Sequence, residues 1–234
     1  MVVFSRRSTL TAICCLAAIG IAGCAEITDS LPSWVPLGGP VSDNLPGVPT
    51  PAQRIATLRR LAQEATWRKA EEKQQIAAEL AGAIRKEQDA MIRAEIIRTL
   101  GEYPGATADG VLQAALGDPD PDVRLAACQA WVKRESAEAT PGLIGLLNGD
   151  LNPEVRLAAA KALGQRKDPA AVPALGNALE DSDPAMQYQA VMSLRQITGK
   201  DFGSDVNQWR QYVKGETPKP ANSISITERL RHMF

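Results

Sequence analysis

Between residues 89 and 194 apolar side chains recur at i, i+4 and i+8 in four blocks: Ile92, Ile96, Leu100; Val123, Ala127, Trp131; Val155, Ala159, Leu163; and Met186, Ala190, Leu194. That spacing lays each triplet along one face of an α-helix. Asp89, Asp120, Asn152 and Asp183 stand just before the blocks, and Pro follows in the last three. A carboxylate or amide oxygen there accepts from first-turn amides, and Pro at the first helical position gives up an N–H that has no partner anyway. The four starts are offset by 31, 32 and 31 residues. A shorter apolar pair precedes the later blocks at the same step: Leu112 and Leu116, Leu143 and Leu147, Leu175 and Leu179. Each unit therefore reads as a helical hairpin, and no alternating stretch of useful length interrupts them. One hairpin cannot bury both of its apolar faces, so the expected fold is all-α, a right-handed superhelical solenoid of stacked hairpins.

A second periodic signal is charged. Glu87, Asp118, Asp150 and Asp181 each stand six residues before Arg93, Arg124, Arg156 and Gln187. Repeated in every unit, the spacing predicts a structural ladder that ties loops to helices along the stack rather than an anion-binding stripe. With Gly110, Gly142 and Pro173 at matching places in the shorter helices, residues 70 to 198 resemble HEAT repeats, in particular the HEAT-like repeats of phycobilisome lyase proteins. Glu79 departs from the Gly or Pro of that pattern and makes the first unit the most divergent.

The ends differ from the repeats. Residues 52 to 87, with Ile55, Leu58, Leu61, Leu80 and Ile84 among many charges, predict a helical pair that caps the first unit. Phe202, Trp209 and Tyr212 are expected to cover the other end. The solenoid with its caps is assigned to residues 52–214, and residues 215–234 form a tail.

The N-terminus carries an address. Arg6 and Arg7 precede an apolar run from Leu10 to Ala22, the layout of a secretory signal, and the run is too short to span a bilayer comfortably. Ile21-Ala22-Gly23-Cys24 resembles the lipobox of bacterial lipoproteins, which implies a signal at residues 1–23, lipid on the Cys24 thiol and attachment to a membrane. Ser5-Arg6-Arg7-Ser8-Thr9-Leu10 also resembles the twin-arginine export signal, although Thr9 stands where Phe is usual. Ala25, in place of Asp, resembles a signal for the outer rather than the inner membrane of the cell envelope. Residues 24–51 hold six prolines and three glycines, a composition that blocks helix and central strand and reads as a tether. Trp34, flanked by Leu31, Val35 and Leu37, is its apolar exception and is expected to dock loosely on the domain.

Composition narrows the function. The whole chain has 26 basic and 27 acidic residues, and loss of residues 1–23 removes two arginines and no acid, leaving net −3. No cationic excess is present to release phosphate counterions, so nucleic acid is not an expected partner. His232 is the only histidine, and Cys128 the only thiol left once Cys14 and Cys15 depart and Cys24 is acylated. Metal sites built on several imidazoles or thiolates are excluded, and no cofactor or catalytic residue is predicted. Cys128 aligns with Ile97, Ala160 and Val191, which predicts a buried, inert thiol.

The expected role is that of a non-catalytic scaffold holding an unidentified protein. Its partner face is sought on the second side of the longer helices, at Ala94, Leu125, Leu157 and Tyr188 and at Arg98, Gln129, Lys161 and Met192. In the solenoids this chain resembles, those helices line the concave side, although Leu125 and Leu157 also suit packing between repeats. Two alternatives stand beside this reading. The family resemblance implies a chromophore lyase or lyase subunit, and the anchor and tether suit a structural envelope spacer.

Overall fold

The structure, a computed structural model, describes residues 48–218. The expected export signal, Cys24, the expected tether through residue 47 and residues 219–234 lie outside the described residues. Ten helices follow in order: α1 (Pro51–Glu64), α2 (Ala70–Ile84), α3 (Ala90–Leu100), α4 (Ala106–Ala115), α5 (Pro121–Val132), α6 (Ala139–Gly149), α7 (Pro153–Arg166), α8 (Val172–Ala178), α9 (Pro184–Thr198) and α10 (Val206–Val213). A 3-10 turn at Pro169–Ala171 leads into α8, and no strand occurs among the described residues.

The caps form as the sequence dictates. The side chains of Asp89, Asp120, Asn152 and Asp183 each accept from the amide two residues on, at 2.8 Å. α1 opens one residue earlier than the predicted tether boundary, because Thr50 and Gln53 exchange backbone and side-chain hydrogen bonds in a capping box that places Pro51 in the first turn.

The helices form two layers. α1, α3, α5, α7 and α9 pack successively in one, while α2, α4, α6, α8 and α10 back them in the other. All twelve residues of the four apolar columns are at most 2% exposed, and Leu112, Leu116, Leu143, Leu147, Leu175 and Leu179 are buried from the opposite layer. Helices of the first layer approach one another more closely than those of the second; the first layer is called inner and the second outer. Small residues permit this. A Cβ on Gly164 of α7 would stand 2.6 Å from the Ser193 hydroxyl of α9, and one on Gly101 of α3 would stand 3.0 Å from the Ala130 Cβ of α5. Any larger side chain at Gly164 forces the two helices apart.

Both ends are closed by other means. α1 and α2 contribute the buried Leu58, Leu80 and Ala77, and expose charge outward. At the far end Trp209 is fully buried, its ring 4.9 Å from Phe202 in edge contact, and its indole N–H donates to the Gly203 carbonyl at 3.1 Å. Tyr212 completes the aromatic cluster.

Candidate protein-binding face

Two polar ladders tie the helices of the inner layer to one another. In the first, Arg93 grips the Asp118 carboxylate through Nε and Nη2 at 3.0 and 2.8 Å, and Arg124 grips Asp150 at 2.7 and 2.8 Å. Each arginine thus reaches the acid of the following unit. The acid six residues earlier contributes its main chain: Arg124 donates to the Asp118 carbonyl at 2.8 Å, and Gln187 to that of Asp181 at 2.7 Å. Each acid also accepts from the amide two residues on, as Asp118 does from Asp120 and Asp150 from Asn152. Arg54 with Glu87 begins the ladder, and Arg156 with Asp181, at 3.8 Å, is its slackest rung. The Arg124 hydrogen bond holds the Asp150 carboxyl below its ordinary range against the effect of burial. At Asp118 burial pushes upward, but Arg93 and the Asp120 amide prevail and the net shift is downward.

The second ladder was not visible in the sequence. Tyr103 donates to the Leu61 carbonyl at 2.7 Å, Arg134 to the Tyr103 carbonyl at 2.6 Å, and Arg166 to the Trp131 carbonyl at 2.7 Å. Tyr103 and Arg166 thus take last-turn carbonyls of α1 and α5, which lack intrahelical partners, while Arg134 takes a carbonyl of the loop after α3. They recur at steps of 31 and 32 residues, which was the available signal, but a phenol and two guanidiniums do not look alike in a sequence comparison. Burial lowers the Arg166 pKa, while Asp168 opposes that shift.

Exposure varies among the residues expected on the partner face. Ala94 is buried, Leu125 and Leu157 are half-buried and packed against the core, and Tyr188 is 59% exposed. Of the neighbouring column, Arg98, Gln129 and Lys161 are exposed and Met192 is half-buried. The structure therefore gives the predicted residues different roles: Ala94 belongs to the core, and the leucines pack against it while part of each stays open to solvent. Arg98 and Arg59 both pair with the largely buried Glu95, and Lys133 pairs with Glu102. Arg98, Gly101, Glu102, Gln129, Ala130 and Lys133 line a shallow cleft between α3 and α5.

Cys128 lies in the core, and burial pushes its thiol pKa up to about 12, which suppresses the thiolate needed for nucleophilic attack. No cluster of three or more His, Cys, Asp or Glu suited to a metal ion occurs among the described residues. No helix among them is long and apolar enough to cross a membrane.

The family description of HEAT repeats matches residues 77–152 and 140–206, more than half of the chain. No curated protein matches it. Among solved structures, human deoxyhypusine hydroxylase in complex with glycerol is similar over 53% of this chain, with 22% identity and a TM-score of 0.48. The similar region spans 44% of that enzyme. The complex of CpcE and CpcF of phycocyanin lyase from Nostoc sp. PCC7120 is similar over 68% of this chain and 68% of its own, with 24% identity and a TM-score of 0.49.

Proposed function

Because the chain belongs to the HEAT-repeat family, we propose that it is an exported, lipid-anchored scaffold that holds another protein against the inner layer of its solenoid without performing a reaction. The observation that carries this reading is the band formed by Leu125, Leu157, Tyr188 and Met192, apolar yet partly open to solvent, beside the exposed Gln129 and Lys161. Apolar side chains on a preorganised surface, rimmed by polar groups, are what a protein partner can desolvate at low entropic cost. The ladders supply that preorganisation. The anchoring half of the reading rests on Cys24 and its preceding small residues, and the outer membrane is favoured by Ala25.

Negative charge introduced on the rim tests the binding half. In cross-linked cells the native protein recovers one reproducible partner, and the double variant Gln129→Glu, Lys161→Glu loses it at an unchanged melting temperature, since both side chains project into water. Undiminished recovery by the variant would move the interface elsewhere. Absence of any partner from the native protein would favour the structural spacer.

A further inference from the structure

The inner helices share one further periodic feature. Nine residues after the N-caps Thr50, Asp89, Asp120, Asn152 and Asp183 stand Arg59, Arg98, Gln129, Lys161 and Met192. Each therefore has the same helical position in its own unit. The first four are exposed, and Lys133, four residues after Gln129, adds another exposed cation. Contacts join the members of this column across helices. Arg59 of α1 and Arg98 of α3 both reach Glu95, and Arg98, Gln129 and Lys133 line the cleft of about 230 Å³ between α3 and α5. Lys161 continues the column on α7, which packs against α5.

The charge of this column is unbalanced. Glu95 is largely buried and gives one oxygen to Arg59 at 3.2 Å and the other to Arg98 at 3.3 Å. One carboxylate between two guanidiniums leaves a positive charge over, and each guanidinium has given it a single nitrogen. Glu102 takes Lys133, while Lys161 has no ion pair or hydrogen bond among the described residues. Four cations thus stand against the two acids that pair with them. Residues 48–218 as a whole hold 21 basic and 23 acidic residues, so this excess is a local segregation of charge in an acidic domain. Such a patch selects and steers a partner of opposite sign.

We propose that the partner segment held by the inner layer is acidic and extended, and that it crosses α3, α5 and α7 along this column. One carboxylate meets Arg98 and Arg59, and a second meets Lys161. Two helix-packing steps of roughly 8–10 Å separate these points, a span covered by about five or six residues of extended chain. Gln129, on the helix between them, offers both a donor and an acceptor to the segment's main chain. Leu125 and Leu157 give its apolar side chains a surface to cover. This inference rests on the scaffold reading and names the chemistry of its partner.

Fluorescence anisotropy on the full mature chain in non-ionic detergent tests it. The probe is a fluorescein-labelled peptide of about twelve residues with two Glu pairs about six positions apart and Leu between them. Binding is expected, and it should weaken severalfold as salt rises from about 50 to about 200 mM. Lys161→Gln should weaken it about three- to fivefold at an unchanged melting temperature, and Lys161→Arg should bind as the native chain does. Arg98→Gln, which leaves Arg59 on Glu95, should lose a similar factor. Lys200→Gln with Lys214→Gln, exposed cations outside the column, should change nothing. No binding by the native chain, equal binding of the peptide with Lys in place of Glu, or indifference to both Lys161→Gln and Arg98→Gln would overturn the proposal. So would displacement by oligodeoxythymidylate or short-chain phosphatidylglycerol at the peptide's own concentration, which would assign the column to phosphate groups. A protein still cross-linked at Gln129 beside any of these results would leave the scaffold reading standing and remove only the acidic segment.

Discussion

Arg124→Ala should destabilise the solenoid by about 3–5 kcal/mol, the cost typical of removing one member of a buried ion pair. The substitution takes two hydrogen bonds from Asp150, whose side chain is only 3% exposed, and further bonds from the carbonyls of Asp118 and Pro119. The carboxylate left behind is shielded from water and has lost its cation. Arg156→Ala is the internal comparison: it has the same place in its unit, but its Asp181 contact is 3.8 Å long and both side chains are about a quarter exposed, so a loss of no more than about 1 kcal/mol is expected. Urea unfolding of both variants measures the difference, and equal losses would show that the rungs do not act through burial of the acid. The pH dependence follows from sign. Asp150 has its pKa lowered on folding, so its contribution is present above the unfolded value of about 3.9 and is lost as pH falls through the folded value. The Arg124→Ala deficit should therefore be full near neutrality and shrink below about pH 4.

Cys24→Ser should abolish fatty-acid incorporation and release or misprocess the protein. The thiol is the atom that the lipobox resemblance assigns to acylation, and a Ser hydroxyl in its place is far less nucleophilic. Net −3 on the mature chain provides no electrostatic attraction to anionic lipid, so nothing in its charge replaces the anchor. Metabolic labelling with a radioactive fatty acid reads the result. Cys14→Ser and Cys15→Ser should label as the native chain does, and undiminished labelling of Cys24→Ser would refute the assignment.

What the sequence made legible was local. A helix start depends on one acceptor and two or three neighbouring amides, so Asp89, Asp120, Asn152 and Asp183 could be placed without any knowledge of the fold. The apolar columns were equally plain, because burial imposes the helical period on every unit. Pairing across units was only half legible. An offset of six drew attention to Asp118 and Arg124, but Arg124 takes the Asp118 carbonyl and the Asp150 carboxylate, a choice made by the superhelical step rather than by chain proximity. The Tyr103, Arg134 and Arg166 contacts were missed because different side chains do the same work at equivalent positions. Exposure at the candidate face was not legible residue by residue: neighbouring helices decide that Ala94 is covered and Tyr188 bare.

The central claim, that the inner layer is the surface this protein presents to a partner, is tested most directly by photocross-linking in living cells. A photoreactive residue placed at Gln129 or Lys161 samples the inner layer, and one at Gln113 or Asn177 samples the outer layer; all four positions are exposed. The account predicts a discrete adduct of the same partner from both inner positions and none from the outer pair. Adducts from Gln113 and Asn177 with none from Gln129 and Lys161 would contradict it.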